Sequence, residues 1–216
     1  MKLVKQIHWE NETAVEMACF ILKNGGVIVY PTDTLYGFGC DAKNESAIQK
    51  VNSIKNRSGP MSVLAPNKKT ASLWMNLSEN EKKICLDKLG GSTTIIVPVK
   101  GTTALPMIMG ENQTLGIRIP EHGFCKSISS VFQNPITSTS VNRTGEPATT
   151  NPREINLEFG TEIDLFIEQY LIPSFLNIIE TGFNVLIENG YTPEVALIEL
   201  YTSGEIIGLL EEGIQT

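Results

Sequence analysis

The sequence predicts an α/β fold, a twisted mixed sheet with flanking helices, formed as a single domain over residues 1–216. Three observations predict it. Segments with apolar residues at helical spacing, such as Glu12 to Lys23, sit beside short β-branched runs, such as Val27 to Tyr30. Helices and strands alternate early in the chain and strand candidates cluster later, which suits a mixed sheet better than a purely doubly wound one. A length of 216 residues with 41% hydrophobic content allows one sizeable core.

Taken in order, Glu12 to Lys23 reads as an amphipathic helix, with Asn11 or Thr13 as N-cap and Asn24-Gly25 as its stop. Val27 to Tyr30 is a buried strand that ends at Pro31, which cannot donate to a ladder. Thr32 to Ala42 reads as a polar, glycine-rich loop. A second helix, opened by Asn44 or Ser46, runs from Ala47 to about Lys55 with Ile48, Val51 and Ile54 on one face. Met61 to Ala65 is a short strand. Lys68 to Met75 and Ser78 to Lys88 are helical, the second with Ser78 and Glu81 spaced as a capping box. Thr93 to Val99 and Thr114 to Ile119 are strands; in the latter Ile117 and Ile119 point one way and Arg118 the other. His122 to Phe132 is a helix with His122 at its surface start. Ile136 to Ser140 is a strand that runs into a second hydroxyl- and glycine-rich loop, and Pro152 to Phe159 is a helix with proline in its first turn. Ile163 to Ile167, Phe175 to Ile179, Val185 to Ile187 and Val195 to Leu200 are strand candidates, and Glu205 to Glu212 is a helix candidate.

Composition excludes several classes. No apolar run approaches membrane-spanning length, and the first ten residues lack the apolar core of a secretion signal, so a cytoplasmic protein without membrane contact is expected. The four cysteines are scattered and form no C-x-x-C, which argues against a zinc site or a disulfide framework. A net charge of −7 argues against broad nucleic-acid binding but allows a locally basic cavity. Gly37-Phe38-Gly39-Cys40-Asp41-Ala42 matches G-x-G-x-x-G/A, yet its glycines come well after the strand ends and no acidic residue closes the next strand. The phosphate-loop motif G-x-x-x-x-G-K-[ST] is absent, and no serine or cysteine sits in a nucleophile elbow. Catalysis by this chain therefore rests on positioning reactants and stabilising charge, with the nucleophile supplied by a substrate.

The stretch that organises the rest is Pro31-Thr32-Asp33-Thr34-Leu35-Tyr36-Gly37, where three hydroxyls, a carboxylate and a glycine follow a core strand. Taken by type alone, these are ordinary turn residues or a ligand loop. Lys55 and Arg57 at a helix end compensate the helix dipole or meet an anion, and Arg118 is a solvent-facing strand arginine or a ligand contact. Ser140 and Asn142 have the same two readings.

Together, Pro31 to Gly37, Lys55-Asn56-Arg57, Gly116-Ile117-Arg118-Ile119-Pro120, and Ser138-Thr139-Ser140-Val141-Asn142 with Gly145-Glu146-Pro147 resemble the ordered motifs of the YrdC-like family, the threonylcarbamoyl-AMP synthases. The resemblance runs from about Leu22 to Ile167 and implies a YrdC-like fold. It also implies an enzyme that joins L-threonine, bicarbonate and ATP, releases pyrophosphate, and delivers threonylcarbamoyl-adenylate to a downstream tRNA threonylcarbamoyl transferase complex. By position it implies threonine contacts at Thr32, Arg118 and Ser140. It implies ATP contacts at Lys55, Arg57, Thr114, Asn142 and Thr150, with Lys55 and Arg57 also catalytic. Magnesium is expected with the ATP, its protein ligands unassigned. Weak tRNA binding is a further expectation, and a non-catalytic nucleotide- or RNA-binding relative is the alternative.

Four departures from the family pattern accompany the resemblance. The segment after K-x-R, Ser58-Gly59-Pro60, is short. The family's P-G-P-x-T appears as Gly90-Gly91-Ser92-Thr93-Thr94. Its Asp-Gly-Gly appears as Glu168-Gln169-Tyr170. Its later arginine falls on Glu188 in one register and on Glu211 in another, so the last third, from about residue 168, is divergent.

Overall fold

A computed structural model of the chain describes residues 4–169, 183, 185–193 and 195. Cα packing divides the chain into two compact units, Met1–Gln169 and Tyr170–Thr216.

The first unit is built on one eight-stranded mixed sheet. Its strands are β1 (Lys5–His8), β2 (Ile28–Tyr30), β3 (Gly37–Gly39), β4 (Ser62–Leu64), β5 (Thr94–Pro98), β6 (Thr114–Arg118), β7 (Ile136–Ser140) and β8 (Leu165–Glu168), in the order β1-β8-β2-β3-β7-β4-β6-β5. β8 runs parallel to β1 and β2, and β4 parallel to β6; the other pairs are antiparallel. This is the mixed sheet the sequence predicts. Two strands escape the sequence reading. β1 is too polar to announce itself, and β3 lies inside what reads as a loop. Gly37 and Gly39 have low strand propensity, but they leave room for Tyr30: a Cβ on Gly39 would stand 2.6 Å from the Tyr30 ring.

Six helices flank the sheet: α1 (Ala14–Lys23), α2 (Glu45–Lys55), α3 (Lys68–Trp74), α4 (Glu79–Lys88), α5 (Gly123–Phe132) and α6 (Pro152–Phe159). Local chemistry sets their ends. Asn44 caps α2 by accepting from Ala47 N, and Asn56 ends it in the left-handed region. Ser78 and Glu81 form the expected capping box of α4. Asn151 caps α6, and Pro152 fills its first position.

Strand alternation divides the core in two. On one face Ala14, Ala18 and Leu22 of α1 and Phe124, Ile128 and Phe132 of α5 pack over Ile28, Tyr30, Leu64, Ile136, Leu165 and Ile167. On the other, Ala47, Ile48, Val51 and Ile54 of α2 and Ile155 and Phe159 of α6 cover Val29, Phe38, Val63, Ile117 and Phe166. Among the described residues no helix is long and apolar enough to cross a membrane.

In the second unit Phe183 and Val185–Glu188 are helical, with Asn189 N donating to Val185 O at 3.1 Å. The strand expected over Val185 to Ile187 is therefore corrected to a helical turn; a single apolar run of this length does not distinguish the two. Val195 is also helical. The remaining expectations there, Phe175 to Ile179, the rest of Val195 to Leu200, and Glu205 to Glu212, lie outside the described residues.

Candidate functional site

The face of the sheet that carries α1 and α5 is not covered along its whole width. Cross-strand partners share a face, so Arg118 and Gly116 of β6 stand with Ser62 of β4, Ser138 and Ser140 of β7, and Thr94 and Ile96 of β5. Gly116, Ser62 and Ser138 are only half-buried, although their chain neighbours Ile117, Val63 and Thr137 are fully buried. The middle of the sheet is thus an open floor of small residues. It is packed closely in its own plane: a Cβ on Gly116 would lie 2.5 Å from Ser62 Oγ.

Two polar stations border this floor. At the first, Arg118 Nη2 donates to Asp33 Oδ1 at 2.5 Å and to Thr34 Oγ1 at 2.9 Å, and its Nε donates to Gly91 O at 3.3 Å. Asp33 is held from its other side, where Oδ2 accepts from Glu121 N at 3.0 Å. Arg118 is therefore a half-buried, anchored guanidinium, and the solvent-facing reading of it is corrected. Nη1 has no partner among the described residues and retains two hydrogens for an anion.

The second station joins Lys55, Ser140 and Asn142. Lys55 is 2% exposed, and its Nζ donates to Ser140 O (2.6 Å), Asn142 O (3.0 Å) and Asn142 Oδ1 (2.9 Å). Ser140 Oγ donates to the same Asn142 Oδ1 at 2.6 Å. Burial, and then the charge of Arg57, lower the Lys55 pKa from 10.5 to about 8. All three ammonium hydrogens are spent on the end of β7, so Lys55 binds a ligand only by exchanging one of these bonds. Arg57 is exposed, with no side-chain partner among the described residues, and is the readily available cation of the pair.

The turn Pro31–Tyr36 ties the stations together. Thr34 meets Arg118 at the first, and Tyr36 O accepts from Val141 N at 3.3 Å at the second. Thr32 organises this turn: its hydroxyl donates to Leu35 O (2.7 Å) and accepts from Thr34 N and Leu35 N. A cavity of about 90 Å³ lies against the turn, lined by Pro31, Thr32, Thr34, Leu35, Tyr36, Thr150 and Gln169. Thr32 and Thr150, expected as contacts to different substrates, thus share one cavity. Thr114 lies at the opposite end of β6 from Arg118, about 13 Å along the strand, and donates to Glu111 O at 2.9 Å. By register it belongs to the Ser140 end of the floor.

Two features were not legible in the residue types. Arg143 forms ion pairs with Glu158 and Glu162 and stacks over Phe159, a structural role fixed by α6. His122 is not a surface residue: it is 8% exposed, caps α5 by accepting from Phe124 N at Nδ1 (3.2 Å), and packs edge-on against Trp9. The tryptophan that covers it comes from the distant N-terminal segment, which no local pattern reveals. Of the two glutamates at the position of the expected arginine, Glu188 is an exposed helical residue of the second unit, and Glu211 lies outside the described residues.

The Sua5/yciO/yrdC family model, described as telomere recombination, matches residues 20–175. A second model, the ketol-acid reductoisomerase C-terminal domain, matches residues 158–216. The chain is 27% identical over 186 residues to the threonylcarbamoyl-AMP synthase of Chromohalobacter salexigens, covering 79% of this chain and 96% of that protein. It is 32% identical over 156 residues to the enzyme of the same name from Coxiella burnetii, covering 71% of this chain and 83% of that protein. Among solved structures, P. abyssi Sua5 complexed with L-threonine aligns with a TM-score of 0.69 at 20% identity. That alignment covers 77% of this chain but only 50% of Sua5, so the chain spans about half the length of that protein.

Proposed function

The chain belongs to the Sua5/YciO/YrdC family, and from that premise we propose that it forms threonylcarbamoyl-AMP from L-threonine, bicarbonate and ATP with release of pyrophosphate. The observation that carries the proposal is the pairing of two cationic stations across one open floor: anchored Arg118 at one end, and Lys55 and Arg57 at the other. A substrate with a carboxylate at one end and a triphosphate partner at the other suits that spacing of charge.

In this reading Arg118 receives the threonine carboxylate through Nη1. The bond is a single charge-assisted one, because Asp33 and Thr34 hold Nη2 and the two-nitrogen fork is not available. The threonine amine takes up carbon dioxide or bicarbonate to give a carbamate. A carbamate oxygen then attacks the α-phosphorus, the bond to the bridging oxygen breaks, and pyrophosphate leaves. No protein nucleophile is required. Arg57, and Lys55 after exchanging a carbonyl partner, offset charge on the phosphates. Ser140 and Asn142, fixed by Lys55, line the same end, and Thr114 borders it.

Magnesium would enter with the triphosphate. Among the described residues no group of three or more histidines, cysteines or carboxylates is placed to hold a metal. The product would pass to a transferase acting on tRNA, in the cytoplasm; tRNA contact by this acidic chain would be weak.

The deciding experiment is pyrophosphate release from ATP and magnesium, with and without L-threonine and bicarbonate. Release that requires both substrates is the expected result. ATP binding without release under any combination would sink the proposal.

A further inference from the structure

We propose that His122 is a positioning residue for the amino-acid end of the groove, acting through Gln169 and Asp33 and only in its neutral form. The inference rests on the threonine site proposed above.

His122 caps α5 with a ring nitrogen. Because Nδ1 accepts from Phe124 N, the ring hydrogen of the neutral form sits on Nε2, a buried atom that faces the Gln169 side chain. The groups around it connect directly to the site. From the turn after β2 comes Asp33, which holds Arg118 of β6. From the segment after β8 comes Gln169, whose N–H donates to the Tyr36 hydroxyl at 2.8 Å and which is one of the residues lining the cavity. On its own helix and just before it lie Lys126 and Glu121, and the Glu121 N–H holds Asp33 Oδ2. Trp9, which packs on the ring, is flanked by His8 of β1, paired in register with Glu168 of β8.

Protonation would undo this arrangement for a geometric reason. A charged imidazole carries hydrogens on both nitrogens, so Nδ1 can no longer accept from Phe124 N. The cap of α5 is lost, and with it the placement of the preceding Glu121 N–H that holds Asp33. The new positive charge also sits at a helix N-terminus, where the backbone dipoles already disfavour it. Burial lowers the pKa of His122, while Gln169 and the charge of Asp33 act in the opposite direction.

The test is calorimetric binding of L-threonine alone, without bicarbonate, at two pH values of about 7.5 and 5.5. The ligand's carboxylate stays charged and its amine stays protonated across this interval. The wild-type protein is expected to bind several-fold more weakly at the lower pH, by less than the roughly tenfold an unshifted histidine would give, because burial lowers the His122 pKa. His122→Asn keeps a good N-cap acceptor that does not titrate and is expected to bind equally at both values. His8→Gln, which removes the other histidine of the chain, is expected to keep the wild-type dependence. Circular dichroism at both pH values confirms that each protein is folded. Wild-type affinity that does not change with pH overturns the inference and leaves the substrate assignment standing, as does a dependence that survives in His122→Asn. Absence of threonine binding at either pH overturns both.

Discussion

Lys55 and Arg57 lie two residues apart, and their surroundings assign them different tasks. Lys55 is an internal tether for the end of β7, while Arg57 is exposed and unpaired among the described residues. Lys55→Met would leave buried acceptors at Ser140 O and Asn142 O unsatisfied, so a loss of about 2–4 kcal/mol in chemical denaturation is expected. Arg57→Ala should change stability by less than about 0.5 kcal/mol and raise the KM for ATP by roughly tenfold, as steady-state kinetics would register. The same contrast sets a pH dependence. The folded pKa of Lys55, about 8, lies below its ordinary 10.5, so the unfolded chain binds this proton more tightly. Its contribution to stability is full above 10.5 and is lost as pH falls through about 8. The difference in unfolding free energy between wild type and Lys55→Met should therefore grow as pH rises across that window.

At the scale of elements, the site depends on residues that keep side chains away. β6 crosses β4 with Gly116 against Ser62, and β3 passes Tyr30 with Gly39. Gly116→Val places methyl groups on the open floor and into Ser62 Oγ. We expect about 1–3 kcal/mol of destabilisation and loss of both threonine and ATP binding, whereas Gly39→Ala, which crowds the buried Tyr30 ring, should cost stability by a similar amount with binding retained in the folded fraction. Thermal melts combined with calorimetry separate the two cases. α4 gives the contrasting case of a helix that contributes no residue to the floor. It buries no residue fully, and its start rests on the Ser78–Glu81 capping box. Ser78→Ala should cost about 1 kcal/mol, visible as faster amide exchange in α4, and leave pyrophosphate release unchanged.

For the molecule as a whole, the net charge of −7 and the local cations make opposing predictions about partners. Association with an RNA hairpin, followed by fluorescence anisotropy, should be weak and should vanish with added salt, because few phosphates can be neutralised. ATP binding should weaken less steeply in the same salt, since exposed Arg57 is screened but buried Lys55 is screened little by the bulk.

What the sequence by itself determined was local or periodic. The Ser78–Glu81 capping box, Asn44 as one of two candidate caps, proline in the first turn of α6, the strand end at Pro31, and the alternation that turns Arg118 away from Ile117 all follow from neighbouring residues, and they were legible. The site motifs were legible as a set because their order resembles a known family, although Lys55, Ser140 or Thr32 alone reads as an ordinary turn or helix-end residue. Tertiary structure decided the rest. β3 forms because Gly37 and Gly39 are clamped between β2 and β7, against their own propensity. Arg118 is an ion-paired group because the turn after β2 brings Asp33 across to it, and Lys55 is a tether because α2 ends at β7. His122 is buried because Trp9, more than a hundred residues earlier, packs on it. In each case burial and charge pairing come from segments distant in the chain, and those long-range contacts set the energy of a side chain more strongly than its type does.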